Sequence, residues 1–411
     1  MVSSYDGNSV SKAGLSFEKL IEPITKSVFF SEHYERKELV VKREDPSYFA
    51  SLLSLDKIDE FITTSSPNSN QVGVVNAMAE ITTSDYTTNN GQIDVARLYQ
   101  LHDEGATIIL PGLQRKIPEL AALCRSVEHE FDAHFQTNIY LSPPNAQGFK
   151  THYDTHDVFV LQIAGSKEWH SYDVPIELPL VGQKFSSERY TPIPALNEFR
   201  LNAGDLYYCP RGLVHDARST DDISLHITFG LMAKTWSDLM IEAISAACVS
   251  QPAFRENLPA GFATQADFDR ASSHAKFRSL ITSFAQDVDI DALLDSFGSD
   301  FVASRQPILR GQMRQMMQGE MIDARSKIMA RPNLVYSLTS HDETVEVRSG
   351  LSLLTLPVHV ALILADMLSC TEWTELSTFP GDLDHDGRVV LAKRLMREGL
   401  ISAQHIQSNP S

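Results

Sequence analysis

Apolar and polar positions change period several times along the chain. In "LSFEKLIEPITKSVFFSEHYERKELVVKR" apolar residues recur at helical spacing and then give way to Leu39-Val40-Val41, which predicts a helix leading into a strand. "LLSLDKIDEFI" and "IPELAALCRSVEHEFDAHF" read as amphipathic helices, with strand-like "VGVVNAM" and "ATIIL" between them. From about 136 to 231 the pattern becomes short β-rich runs punctuated by Pro and Gly: "TNIYLSPPNAQGF", "DVFVLQIAG", "EWHSYDV", "DLYYCPRG" and "LHITFGL". Strands of that length and spacing predict a barrel or sandwich. After 232 helical spacing returns in "WSDLMIEAISAACV", "ADFDRASSHAKFRSLITSFAQ" and "QMRQMMQGEMIDARSKIMA". From 331, strand-like "NLVYSLT" and "TVEVRS" precede "VHVALILADML" and "RVVLAKRLMREGLI", a mixture of winged-helix size. The first fourteen residues, rich in Ser and Gly, are expected to be irregular, and no internal repeat is present.

With 411 residues and 43% apolar content, the chain is expected to fold as two or three domains. Its net charge of −18 repels phosphate, so a nucleic-acid partner is not expected; a basic protein or peptide suits it better. There is no run of eighteen apolar residues, and the N-terminus has neither a basic start nor an apolar stretch. No membrane partner and a cytoplasmic location are expected. The four cysteines, Cys124, Cys209, Cys248 and Cys370, lie far apart without a C-x-x-C, which fits reduced thiols.

The stretch "THYDTHDVFVLQIAGSKEWHSYD" begins with His152, Asp154 and His156 at alternating positions before an apolar strand. On a strand, His152 and Asp154 point to one side and can reach one metal ion. His215, in "GDLYYCPRGLVHDA", follows a turn at Pro210-Arg211-Gly212 and can complete the face across a small barrel. Two imidazoles and one carboxylate with the opposite side open form the facial triad of non-haem Fe(II) oxygenases. His156 shares that face, as an alternative ligand or as pocket wall. His226, alternating with apolar residues, reads as a satisfied core histidine, and His170 as outward or hydrogen-bonded. Lys167 stands after a turn at Gly165, either as a surface lysine or as a buried one that needs an anion, such as the far carboxylate of a metal-chelating dicarboxylate.

The stretches "NIYLSPPNAQGFKTHYDTHDVFVLQIAGSKEWHSYDVP" and "LNAGDLYYCPRGLVHDARSTDDISLHITFGL" resemble the JmjC-type cupin oxygenases, most closely their ribosomal-oxygenase branch. The resemblance implies an α+β chain. A double-stranded β-helix (cupin/JmjC jelly roll) with a helical N-terminal part would span 1–231, a helical dimerisation region 232–330, and a winged-helix domain 331–411. It implies His152, Asp154 and His215 as ligands of Fe(II), with 2-oxoglutarate and O2 as co-substrates. Lys167, fifteen residues past His152, would pair with the distal carboxylate of 2-oxoglutarate. Asn138, fourteen residues before His152, would be a polar co-substrate contact, Thr228 a further residue of that pocket, and Tyr140 would face the substrate. The implied activity is hydroxylation of a side chain in a protein or peptide, such as a ribosomal protein, by a homodimer that converts 2-oxoglutarate to succinate. Thr155, Tyr34 and Glu38 depart from the family pattern on the substrate side, where the family usually has an acidic residue, a Trp and a Pro. A biosynthetic precursor peptide as substrate, N-methyl-lysine demethylation, and an inactive cupin acting as a dimeric binding protein are the alternatives.

Overall fold

The computed structural model describes residues 15–405. The first fourteen residues, expected to be irregular, lie outside the described ones. The chain divides into two compact units, Met1–Ala233 with Pro332–Leu334, and Lys234–Arg331 with Val335–Ser411.

In the first unit, helices at Phe17–Ile21, Leu55–Thr64 and Val95–Asp103 begin where Ser16, Ser54 and Asp94 accept a backbone N–H of the first turn. The helix Pro118–Phe131 starts with proline at its first position, where no N–H is needed. The strands are β1 (Leu39–Val41), β2 (Gly73–Val75), β3 (Thr107–Pro111), β4 (His134–Ser142), β5 (Asp157–Ser171), β6 (Asn197–Asn202), β7 (Leu206–Cys209) and β8 (His215–Met232). They form one antiparallel sheet in the order β1-β7-β5-β8-β4-β3-β2, with β6 beside the second half of β5. One sheet face joins the helices in a core rich in aromatic rings, including Phe17, Phe29, Phe135, Phe159 and Phe229. Phe135 and Phe229 stack at 4.4 Å.

The other face is lined differently, and β5 shows how. Phe159, Leu161 and Ile163 point to the helical core, while Val158 and Val160 point away from it. The pairing of β5 with β8 slips between Gln162 and Ala164 and again between Gly165 and Lys167. Such a bulge reverses which residues face which side. Beyond it the odd-numbered Lys167 and Trp169 share a side with Val158 and Val160. Gly165, expected as a turn between two strands, is therefore a bulge inside one strand. Its φ of +60° and a Cβ position 1.7 Å from the Ile223 carbonyl oxygen admit only glycine.

The second unit opens with a helix at Trp236–Ser250, where Thr235 and Asp238 form a reciprocal capping box. Helices at Arg270–Asp287 and Ile290–Ser304 start on Asp269 and Asp289 caps. The run 312–330, expected to be helical throughout, is helical only over Gln312–Gln318 and in a short turn to Met321. Asp323 and Ser326 then build a turn, and Lys327–Ala330 is a strand, β9. Here the branched and apolar residues satisfy a sheet and not a helix face. β10 (Ser337–Ser340), β11 (Thr344–Ser349) and β12 (Ser352–Pro357) make an antiparallel meander. β9 lies between β13 (Thr374–Glu375) and β14 (Ile401–Gln404), next to helices Ala361–Ser369 and His385–Arg397 that bury Ile363, Leu364, Met367, Leu391 and Leu395. Among the described residues, no helix is long and apolar enough to cross a membrane.

Candidate active site

His152 and Asp154 do not lie on a strand, contrary to the expectation from their alternation. β5 begins only at Asp157, and the residues before it form an irregular loop. What brings the three groups together is a single two-residue bridge. His152 N–H donates to the His215 carbonyl at 3.0 Å, and His215 N–H donates back at 2.8 Å. His215 is the first residue of β8, after the turn at Pro210-Arg211-Gly212. The Gly212 N–H donates to the Asp154 carbonyl at 2.9 Å.

Each imidazole is oriented by its own backbone. His152 Nδ1 is 2.8 Å from the Lys150 carbonyl, and His215 Nδ1 is 3.0 Å from the Leu213 carbonyl. With each Nδ1–H so engaged, both Nε2 lone pairs are left for a ligand, the arrangement that metal-binding histidines use. One ligand atom from each of His152, Asp154 and His215 lies within 4.8 Å of the other two. His215 Nε2 is 3.8 Å from Asp154 Oδ2. An ion held at about 2.1 Å from each donor would draw these atoms to about 3 Å of one another, a small closure of side chains. Burial lowers the pKa of His215, and the neighbouring His152 lowers it further, so its imidazole is kept neutral and able to bind metal. The donor set therefore fits a divalent cation that prefers mixed nitrogen and oxygen ligands. His156 is not in the cluster; its Nε2 lies against the backbone of Gly230.

The three residues line one side of a cavity of about 250 Å³, with Thr107, Tyr140, Phe149, Val158, Val160, Trp169, His226 and Thr228 among its walls. Lys167 also lines it. The lysine is 5% exposed, and its Nζ has a long hydrogen bond of 3.5 Å to Ser142 Oγ, itself 2.9 Å from Thr107 Oγ1. No carboxylate within the described residues pairs with it, and burial alone brings its pKa down to about 8. Tyr140 stacks on His226 at 4.9 Å with rings nearly parallel, and burial pushes its hydroxyl up. His226 was expected to be a satisfied core residue. It is buried, but it stands in the cavity wall, its Nδ1 has no hydrogen-bond partner among the described residues, and burial with Lys167 nearby holds it well below the ordinary range. Thr228 lines the cavity, whereas Asn138, directly across from it on β4, does not. The Asn138 amide oxygen accepts from Gln136 Nε2 at 3.2 Å. His170 Nδ1 is 2.8 Å from Asp216 Oδ1, the hydrogen-bonded alternative of the two expected.

Sequence reasoning missed Asp216. Its carboxylate also accepts from Thr151 Oγ1 at 2.7 Å and from Tyr172 Oη at 2.8 Å, which ties the residue before His152 to the residue after His215. No spacing rule announces such a contact, because its three donors come from two segments, the loop at Thr151 and the end of β5 around His170 and Tyr172, which only strand pairing brings to β8.

These features are those of a JmjC domain, and residues 111–239 match the model of that domain. The chain is homologous to ribosomal oxygenase 1: it is 30% identical to the Rattus norvegicus protein over 324 residues, 74% of this chain and 54% of that one. The Homo sapiens ribosomal oxygenase 1 is also 30% identical, over 74% of this chain and 50% of its own length. The bifunctional lysine-specific demethylase and histidyl-hydroxylase NO66 of Drosophila mojavensis is 31% identical over 54% of this chain and 26% of its own. The chain thus spans about half the length, or less, of these curated relatives. Among solved structures, Escherichia coli YcfD superposes with a TM-score of 0.54 at 14% identity, covering 93% of this chain and 98% of that one. The YcfD structure in complex with cobalt and 2-oxoglutarate gives 0.51 at 12% identity, covering 93% and 99%. The fold is that of a JmjC cupin with mixed helix and sheet.

Proposed function

We propose that this chain is an Fe(II)- and 2-oxoglutarate-dependent dioxygenase that hydroxylates a side chain of a protein or peptide, such as a ribosomal protein, with conversion of 2-oxoglutarate to succinate. The observation that carries this reading is a buried ammonium with no carboxylate partner among the described residues, Lys167, in the same cavity as the His152–Asp154–His215 cluster. A dicarboxylate held by the metal at one end and by Lys167 at the other satisfies both features at once. The homology to proteins named ribosomal oxygenase and histidyl-hydroxylase, and the fold shared with YcfD, support it.

In this reading His152, Asp154 and His215 hold the iron, and their Nδ1 tethers keep both imidazoles in the ligating tautomer. Bound iron supplies the oxidising chemistry, with O2 and 2-oxoglutarate consumed. Lys167 orients the co-substrate, and Ser142 and Thr107 bring hydroxyls beside it. Thr228 lines the co-substrate side, and Asn138, its partner across the β4–β8 pairing, would contact the co-substrate only after leaving Gln136. Tyr140 and neutral His226 form a flat wall against which the target side chain is placed, and Val158, Val160 and Trp169 exclude water.

The domain reading is a catalytic part over 1–231, a helical dimerisation region over 232–330 and a winged-helix domain over 331–411. Exposed apolar residues on the helices of the middle part, Trp236, Met240, Ile241 and Phe277 among them, support a homodimer. Two helices with a small three-stranded sheet support the winged-helix reading. The net charge of −18 speaks for a basic polypeptide partner and against nucleic acid, and four free thiols fit the cytoplasm.

The test is succinate formation from 2-oxoglutarate with Fe(II). Turnover is expected from the wild type, to be lost in His152→Ala and Asp154→Ala with the fold retained. Equal turnover in both variants would refute the site.

A further inference from the structure

The three residues of the cluster are not held alike. Both imidazoles are fixed by a hydrogen bond from Nδ1 to a carbonyl. The Asp154 carboxylate has no hydrogen-bond donor among the described residues, and it is about a third exposed. Its place is set by the backbone on either side of it: the Asp154 carbonyl accepts from Gly212 N–H, and the preceding residue, Tyr153, is buried.

Both of those restraints lead to one segment. The connection from Tyr172 to Leu196 between β5 and β6 contains neither strand nor helix. Connections beyond about 12–15 residues without regular structure are uncommon in compact domains and usually have a task. Here the Tyr153 hydroxyl donates to the Gln183 carbonyl at 2.8 Å, and its ring meets Phe185 edge-on at 5.3 Å. Phe185 is backed by Tyr190, whose hydroxyl donates to Asp173 at 2.8 Å. The same segment closes over Gly212: a Cβ there would sit 2.4 Å from the Ile176 carbonyl oxygen and 2.9 Å from Pro179 Cδ. Val214 N–H donates to the Asp173 carbonyl at 3.0 Å, which anchors the start of the segment to the residue just before His215.

We infer that the connection from Tyr172 to Leu196 is a clamp that fixes the third metal ligand, acting on Asp154 through Tyr153, a positioning residue, and through the backbone of Gly212. It rests on the reading of the cluster as a metal centre. The clamp does for the carboxylate what the carbonyl tethers do for the imidazoles. Loss of such an outer support typically costs 10- to 100-fold in metal affinity.

The test uses the purified full chain without metal and titrates it with Co(II), read from the visible absorption of the bound ion. Wild type binds and His215→Ala does not; absence of binding by the wild type would overturn the metal reading itself, not the clamp alone. Tyr153→Phe removes only the hydroxyl, and Phe185→Leu only the edge-on ring. Each is expected to weaken Co(II) by about tenfold, to leave the unfolding midpoint of the metal-free protein near that of the wild type, and to recover the wild-type spectrum at saturating Co(II). Co(II) affinity within twofold of wild type in both variants would overturn the clamp. So would a loss that excess metal does not restore, which is the mark of a damaged fold.

Discussion

Replacing Lys167 by methionine is expected to make the metal-free protein more stable at neutral pH, although the lysine is a proposed functional residue. Lys167 has an ordinary pKa of 10.5 in an unfolded chain and about 8 in the folded one, with burial as the cause. At about 1.4 kcal/mol per pH unit, that difference is a penalty of about 3 kcal/mol for folding around the charged lysine. Its sign follows from proton counting. Between about 8 and 10.5 the unfolded chain binds more protons than the folded one, so stability rises with pH there; below 8 the whole penalty is present, and above 10.5 it is gone. Methionine keeps an unbranched chain of similar length and gives up only the 3.5 Å contact with Ser142, worth about 0.5–1 kcal/mol. Lys167→Met is therefore expected to gain about 2–3 kcal/mol at pH 7, with the gain shrinking steadily between pH 8 and 10. Urea unfolding of both proteins without metal, at pH 7, 8, 9 and 10, measures this. 2-Oxoglutarate added to the metal-loaded proteins should then stabilise the wild type more than the variant. A variant less stable than wild type at pH 7, or a difference flat from pH 8 to 10, would refute the argument that this ammonium is stranded.

Asp216→Asn should cost about 2 kcal/mol by weakening the tie among Thr151, His170 and Tyr172. Burial raises the Asp216 pKa, but those three donors outweigh it and hold it below the ordinary 3.8. The wild-type advantage is thus present above pH 4 and fades as pH falls through the folded value, which acid titration of the two unfolding midpoints checks. Gly165→Ala should cost upwards of about 3 kcal/mol, because its methyl group meets the Ile223 carbonyl at a positive φ; an expression level and melting midpoint equal to wild type would contradict the bulge. Phe277→Asp together with Met240→Asp should shift the chain to monomer by light scattering if the exposed helix faces pair two copies.

The change of period at 136 and again at 232 made the order of helical, β-rich and helical regions legible, and the strands at 39–41, 107–111 and 344–349 and the helices at 55–64 and 118–131 follow their patterns closely. The cluster residues were readable from type and spacing, yet for a mistaken reason. Alternation on a strand was expected to align His152 with Asp154, while the fold places them on a loop pinned to His215. Lys167 was open between surface and interior because its side depends on the bulge at 162–167, and bulges follow from strand pairing that a single segment does not display. The same limit hid Asp216. KIMA at 327–330 was taken into a helix because short apolar runs fit either period, and partner strands 374–375 and 401–404 decide it. His226 looked like ordinary core, since periodicity separates inside from outside but not a packed interior from a cavity wall.

The reciprocal backbone bridge between residues 152 and 215 has a practical corollary. Peptide groups, and not the rings, determine where those two side chains originate, so the letters at both positions can be rewritten without moving their roots. A thiolate at one of them would turn the same cradle toward softer ions, and a second carboxylate toward harder ones. The scaffold thus offers itself as a rewritable socket, in which metal preference can be exchanged while the surrounding walls stay as they are.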